Sequence, residues 1–235
     1  KVEPNEEKRT METESSLDSN ALILELRSIC FQYESAAEQT LTNISLSIAP
    51  NTTVGFCGTT GAGKTTLLDI LLGLLEPTSG ELLADGVKLN ADKRRQWQRQ
   101  IGYVPQDIVL TDTTIAENIA FGSHPEDVSL ELVRRAAAMA GIRDFIEERL
   151  PERYDTLVGE RGVRLSGGQR QRIGIARALY RQPRILVFDE ATSSLDTETE
   201  TTVINAIKDL TQKLTIVMVA HRIDNYQPLS KGTDV

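Results

Sequence analysis

The stretch GTTGAGKTT, Gly58 to Thr66, sets three glycines and a lysine in a short run that suits phosphate binding. Gly58, Gly63, Lys64 and Thr65 fit the pattern G-x-x-x-x-G-K-[ST]. Glycines let a backbone turn tightly enough to aim its N–H groups at phosphate oxygens, and a following helix N-terminus adds about half a positive charge. Thr59, Thr60, Gly61, Ala62 and Thr66 complete the cradle. Lys64 is placed to reach the β and γ phosphates of a nucleoside triphosphate, and the Thr65 hydroxyl to meet Mg²⁺. A chain of this length shows the pattern by chance roughly once in a hundred. The alternative is a glycine turn that merely opens a core helix.

Such a loop needs an acidic residue at the end of a second buried strand, to hold the metal through its water shell. RILVFDE supplies Asp189, and the adjacent Glu190 is placed to orient and polarise an attacking water as a general base. The bland reading is that this pair caps a following helix. Upstream lies LSGGQRQR, with Leu165, Ser166, Gly167, Gly168 and Gln169. Ser166 is a good N-cap, and Gly167 and Gly168 leave backbone N–H groups bare at a helix start, which makes a γ-phosphate receptor. One chain with two phosphate receptors implies a site assembled from two chains, head to tail.

With LSGGQ the sequence resembles the nucleotide-binding domain of ATP-binding cassette proteins, from about Leu22 to His221. The resemblance implies that the signature pentapeptide caps ATP held by a second copy. It also implies that Tyr33 in FQY stacks on adenine, that Gln106 in YVPQD senses Mg²⁺ and the attacking water, and that SSLD, ending at Asp196, crosses to the partner's site. His221 in MVAHR matches the switch histidine that contacts the γ-phosphate and holds the glutamate. His124, in an exposed-looking loop, receives no role.

These residues need a particular scaffold. ALILELRSICFQY and LTNISLSIAP read as antiparallel strands, with Ile44, Leu46 and Ile48 on one face. TVGFC is a strand running into the glycine loop, and KTTLLDILLGLL continues as a helix. ELLADGVKL and IGYVPQ are further strands, with DKRRQWQRQ as a short exposed helix between them. Thr113 to Arg153 reads as helical, closed at Gly141 and Pro151. A helix from Ser166 to Arg181, strand RILVF, helix TETETTVINAIKDL and strand TIVMVA follow, both strands being continuous apolar runs suited to a sheet covered on both faces. The expected fold is α/β: a P-loop core with a mainly parallel sheet, an N-terminal antiparallel β subdomain, and an inserted α-helical subdomain at about 107–182. Residues 1–20 read as a flexible tail and 21–235 as one domain.

Composition bounds the partners. With 26 basic against 34 acidic residues the chain is unsuited to binding nucleic acid or anionic lipid through charge. The two cysteines, Cys30 and Cys57, fall on strands that read as buried, which suits reduced core thiols. The longest apolar run, Leu67 to Leu75, is interrupted by Asp69 and is far shorter than the roughly 20 residues a membrane span requires.

TIAENIAFG, Thr114 to Gly122, and TLVGERG, Thr156 to Gly162, resemble segments of the exporter-type subgroup, in which Glu160 would touch the cytoplasmic ends of transmembrane helices. The charged start KVEPNEEKRT, without an initiator methionine, leads us to expect a cassette cut from behind an N-terminal transmembrane half. Its place would be the cytoplasmic face of the cell's inner membrane, its partners a second cassette and that transmembrane domain. RIDNYQPLSKGTDV replaces the further strand and helices that the resemblance implies, so a shortened C-terminus is expected. Two other readings stand beside this one: a soluble cassette ATPase acting on nucleic acid or ribosomes, and a regulatory module that closes on ATP without hydrolysing it.

Overall fold

Two sheets of opposite character carry the chain, and a computed structural model describes residues 23–159, 163–189 and 214–220 of it. The antiparallel sheet has the order β2-β1-β4-β5, from β1 (Leu24–Phe31), β2 (Leu41–Ile48), β4 (Ser79–Ala84) and β5 (Val87–Lys88). The parallel sheet has the order β3-β8-β7-β6, from β3 (Thr53–Cys57), β6 (Ile101–Val104), β7 (Ile185–Asp189) and β8 (Thr215–Ala220).

In β1 the alternation changes phase. Leu24 and Leu26 are buried, as are Ile29 and Phe31, whereas Arg27 and Ser28 both face solvent. The register against β2 shifts between Leu26 and Ile29, and Ser28 sits at φ 49, its N–H bonded to Ser45 Oγ at 3.0 Å. This bulge lets four core residues share a face although their spacing is not strictly two.

The parallel strands sort their side chains by parity. Leu186 and Phe188 of β7, with Ile216 and Met218 of β8, join one core; Ile185, Val187, Val217 and Val219 join the other. The second core also takes the antiparallel sheet and α1 (Lys64–Leu71). The first takes the helices that lie between β6 and β7: α3 (Ile115–Ile119), α4 (Leu130–Met139), α5 (Arg143–Arg149) and α6 (Gly167–Tyr180). The continuous apolar runs of β7 and β8 thus reflect burial on both faces.

Three local readings need correction. The helix after the glycine loop stops at Leu72, because Gly73 turns at φ 67. Its end is closed by the Leu74 N–H on Asp69 O at 2.8 Å, a glycine stop of the usual kind. The basic helix α2 (Ala91–Gln98) is not wholly exposed, since Trp97 is buried and its Nε1 donates to Leu71 O at 2.8 Å. Cys30 and Cys57 are half-buried instead of core thiols, being near strand ends.

Candidate functional site

The glycine loop joins β3 to α1, the strand–loop–helix order its chemistry requires. Gly63 is the N-cap of α1 at φ 85, and no side chain caps the helix, so the first-turn N–H groups are open to an anion. A Cβ on Gly63 would stand 2.9 Å from Leu41 Cδ2 and 3.0 Å from Thr40 O, so both conformation and space demand glycine. Gly61, at φ 86, is conformationally demanding but has open space around it.

Lys64 Nζ donates to Gly58 O at 2.8 Å and Thr59 O at 3.0 Å. The ammonium therefore lies folded over the loop, where phosphate oxygens would exchange with those carbonyls. Ala62 N–H bonds to Thr59 O at 3.2 Å and tightens the turn. Thr59, Thr60, Gly61, Ala62 and Thr65 are exposed, while Thr66 is buried. Tyr33 meets Thr66, its hydroxyl 3.0 Å from Thr66 Oγ1, and stands edge-on to Phe31 at 4.8 Å. Its ring remains 41% exposed beside the loop.

Asp189 ends β7 and pairs in register with Val219 of β8, whose next residue Ala220 is level with Cys57 at the mouth of the loop. Two strand spacings, about 10 Å, separate the two strand ends laterally. Tyr103 on β6 donates its hydroxyl to Asp189 Oδ2 at 3.0 Å. Burial, then the bond to Asp189, pushes that phenol up to about 12, so it remains a donor at neutral pH. Asp69, one helical turn beyond Thr65, is held above the usual carboxylate range by burial and by the charge on Asp189.

Among the described residues no three His, Cys, Asp or Glu side chains converge into a metal cage. One exposed threonine hydroxyl and one carboxylate fit Mg²⁺, a hard ion that keeps most of its waters and takes few protein oxygens. Gln106 is exposed, two residues beyond β6. Glu190, Asp196 and His221 lie outside the described residues, as does Glu160.

Ser166, Gly167, Gly168 and Gln169 open α6 with a reciprocal cap: Ser166 Oγ accepts from the Gln169 N–H at 3.3 Å, and Gln169 Oε1 from the Ser166 N–H at 2.8 Å. The helix start is thus less bare than its sequence implies, because the serine already occupies one donor. No hydrogen bond joins this turn to the glycine loop among the described residues.

The sequence reading also missed a buried polar node. Asn118, on α3, accepts from the Thr111 N–H at 3.0 Å and donates to Thr111 O, Thr113 Oγ1 and Thr114 O at 3.0, 3.1 and 3.0 Å. Arg177 of α6 donates to Asn118 O at 2.9 Å, to Asn118 Oδ1 at 3.2 Å and to Val109 O at 3.0 Å, and lies over the Phe121 ring at 4.8 Å. Burial pushes the guanidinium below its ordinary pKa. The available signal was an asparagine inside an apolar helix, NIAF, where an unpaired amide would be costly.

Fold and site together define a P-loop nucleotide-binding domain with an added signature helix. Residues 41–193 match the family described as ABC transporter. The chain belongs to the ABC transporter family. It is 46% identical over 206 residues to "ATP-binding cassette sub-family B member 5" of Mus musculus, covering 87% of this chain and 16% of that one. It is 46% identical over 200 residues to the "Beta-(1-->2)glucan export ATP-binding/permease protein NdvA" of Rhizobium meliloti strain 1021, covering 85% and 34%. Among solved structures it is similar to a bacterial Atm1-family ABC exporter with ATP bound, at TM-score 0.75 and 38% identity, covering 89% of this chain and 36% of that one. The chain therefore spans a sixth to about a third of the length of these proteins.

Proposed function

We propose that this chain binds and hydrolyses ATP as one half of a head-to-tail pair of cassettes, and that the resulting cycle drives export through a transmembrane domain. The observation that carries the reading is a pair of separate helix starts suited to phosphate, the Gly58–Thr66 loop opening α1 and the capped start of α6, with no hydrogen bond between them among the described residues. The first suffices for one triphosphate, so the second is read as serving a neighbouring copy.

In this reading the loop N–H groups and Lys64 bind the β and γ phosphates, and Tyr33 takes the adenine on its exposed ring. Thr65 and Asp189 hold Mg²⁺, which supplies charge neutralisation between the phosphates. Gln106 and Glu190 orient the attacking water, with Glu190 taking its proton, and His221 holds the γ-phosphate end. Ser166, Gly167, Gly168 and Gln169 close on the partner's ATP, and Asp196 crosses between the sites.

A surface fits the transmembrane partner. Val109 is 74% exposed, Leu157 54% and Phe121 52%. Val109 and Phe121 flank Arg177, and beside Leu157 a groove runs along Leu110, Val163 and Arg170. Large apolar side chains grouped this way suit burial against another protein. No helix among the described residues is long and apolar enough to cross a membrane. The names of the relatives, exporters and an "ATP-dependent lipid A-core flippase" of Cupriavidus metallidurans at 41% identity, support export of a substrate that the transmembrane part selects.

The test is the solution mass of Glu190→Gln by light scattering, with and without Mg-ATP. Hydrolysis falls roughly 10²- to 10⁴-fold when the base is lost, so ATP should trap a dimer, and adding Ser166→Arg should return it to monomer with monomer ATP affinity retained. Loss of ATP affinity in the Ser166→Arg monomer would place the signature in its own chain's site and overturn the reading.

A further inference from the structure

Asp189 is held by a residue to which neither the motifs nor the family resemblance gives a task. Tyr103 lies on β6, in register with Val187 of β7, two residues before Asp189. Its hydroxyl spans that offset and donates to Asp189 Oδ2 at 3.0 Å. The bond leaves Oδ1 and the second lone pair of Oδ2 for the water shell of a metal. The same strand runs on through Val104 and Pro105 to Gln106, so one short segment carries both the phenol and the proposed water-sensing glutamine.

A carboxylate at this place needs to be held. Asp69 follows Thr65 by four residues on α1, hence on the same helix face, and its charge acts on both Asp189 and Tyr103. Two like charges repel, so the Asp189 carboxylate gains from a bond that fixes its rotamer. Among the described residues, the phenol donates to the Asp189 side chain. Tyr103 is 40% exposed, and neither end of its bond is needed to fill the core.

We propose that Tyr103 is a positioning residue for the metal site: its hydroxyl fixes the Asp189 carboxylate in the orientation that receives the Mg²⁺ water shell, against the opposing charge of Asp69. The inference rests on the proposed function, since it assumes that Mg²⁺-nucleotide binds at the Gly58–Thr66 loop. Removing a partner that orients a metal-binding carboxylate typically costs 10- to 100-fold in metal affinity. An exposed pair that acts through water belongs at the lower end of that range.

The experiment is binding of a fluorescent ATP analogue to the full chain, in EDTA and across a Mg²⁺ titration, for the wild type, Tyr103→Phe, Asp69→Asn and the double variant. Phenylalanine removes one exposed oxygen, so folding is not at stake, and circular dichroism confirms it. Tyr103→Phe is expected to bind nucleotide in EDTA like the wild type but to need about tenfold more Mg²⁺ for half-maximal enhancement, and Asp69→Asn in that background to recover most of the loss. An unchanged Mg²⁺ midpoint in Tyr103→Phe overturns the inference, and so does an equal loss of affinity in EDTA, which would make the tyrosine a prop of the loop. Failure of the wild type itself to bind nucleotide with Mg²⁺ dependence would instead overturn the proposed function.

Discussion

Replacing Asn118 with alanine tests whether the buried polar node ties the loop after Gln106 to α3 and α6. The side chain has six hydrogen-bond partners within reach, shared among its two lone pairs and two N–H groups: Oδ1 faces the Thr111 N–H, Thr111 Oγ1 and Arg177, and Nδ2 faces Thr111 O, Thr113 Oγ1 and Thr114 O. Most of the partners keep another bond when the amide is lost. Thr114 O still accepts from the Asn118 N–H, Thr111 O from the Thr113 N–H, Thr113 Oγ1 still pairs with Thr111 Oγ1, and Arg177 still reaches Asn118 O and Val109 O. The Thr111 N–H is the group left stranded.

An orphaned donor costs about 1–3 kcal/mol when buried, and the Thr111 N–H belongs at the lower end because Thr111 is exposed; the emptied space of three heavy atoms in a fully buried site adds about 1 kcal/mol. The expected loss is about 2 kcal/mol, far below what six independent bonds would suggest. Urea denaturation followed by circular dichroism gives the value, with fluorescence of the single tryptophan, Trp97, as a second probe. Trp97 lies in the other core from Ile119, the neighbour of Asn118, so coincident transitions would show the two cores unfolding together. A loss below about 1 kcal/mol would refute the claim that the amide is a structural tie.

Two further perturbations bear on the site. Gly61→Ala should cost about 1–2 kcal/mol for its left-handed backbone alone, and Gly63→Ala clearly more, because its Cβ also meets Thr40 O at 3.0 Å; equal losses in thermal melts would show that strand edge yielding freely. Asp69→Asn should stabilise the empty protein at neutral pH. Its folded carboxyl is held above the ordinary range by burial and by Asp189, so Asp69's favourable contribution is present at low pH, below the unfolded pKa, and is lost as pH rises through the folded one. The advantage of asparagine should therefore vanish on acidification, and an advantage independent of pH would assign it to packing.

The two motifs with backbone logic were legible because glycine, lysine and serine do there what they do anywhere: Gly63 takes a left-handed N-cap, Lys64 folds over the turn, and Ser166 caps α6. The layered sheets were legible from the apolar runs of β7 and β8. What sequence hid was every interaction between segments distant in the chain. Tyr103 and Asp189 are 86 residues apart, and Arg177 and Asn118 are 59; neither pair leaves a periodic trace. The bulge at Ser28 hid for a different reason, since it changes the phase of an alternation that reads smoothly on either side.

The position of Arg177 on α6 has a mechanical consequence. Ten residues of one helix, about 15 Å, separate the signature turn at Gly167 from the guanidinium that grips Val109 and Asn118 and stacks on Phe121. If a helix of this length moves as a rod, the displacement that the proposed function would impose at its start is expected to reach the Val109–Phe121 surface through those bonds. Arg177→Lys keeps the charge but loses the planar fork that makes three directed bonds. In Glu190→Gln, which lacks the proposed base, hydrogen exchange should show protection of the α6 first turn on adding Mg-ATP, spreading to the amides of 109–121. With Arg177→Lys added, protection should stop at the helix start. If the spread is the same with lysine, the movement travels by another route, and the Arg177 bonds serve stability alone.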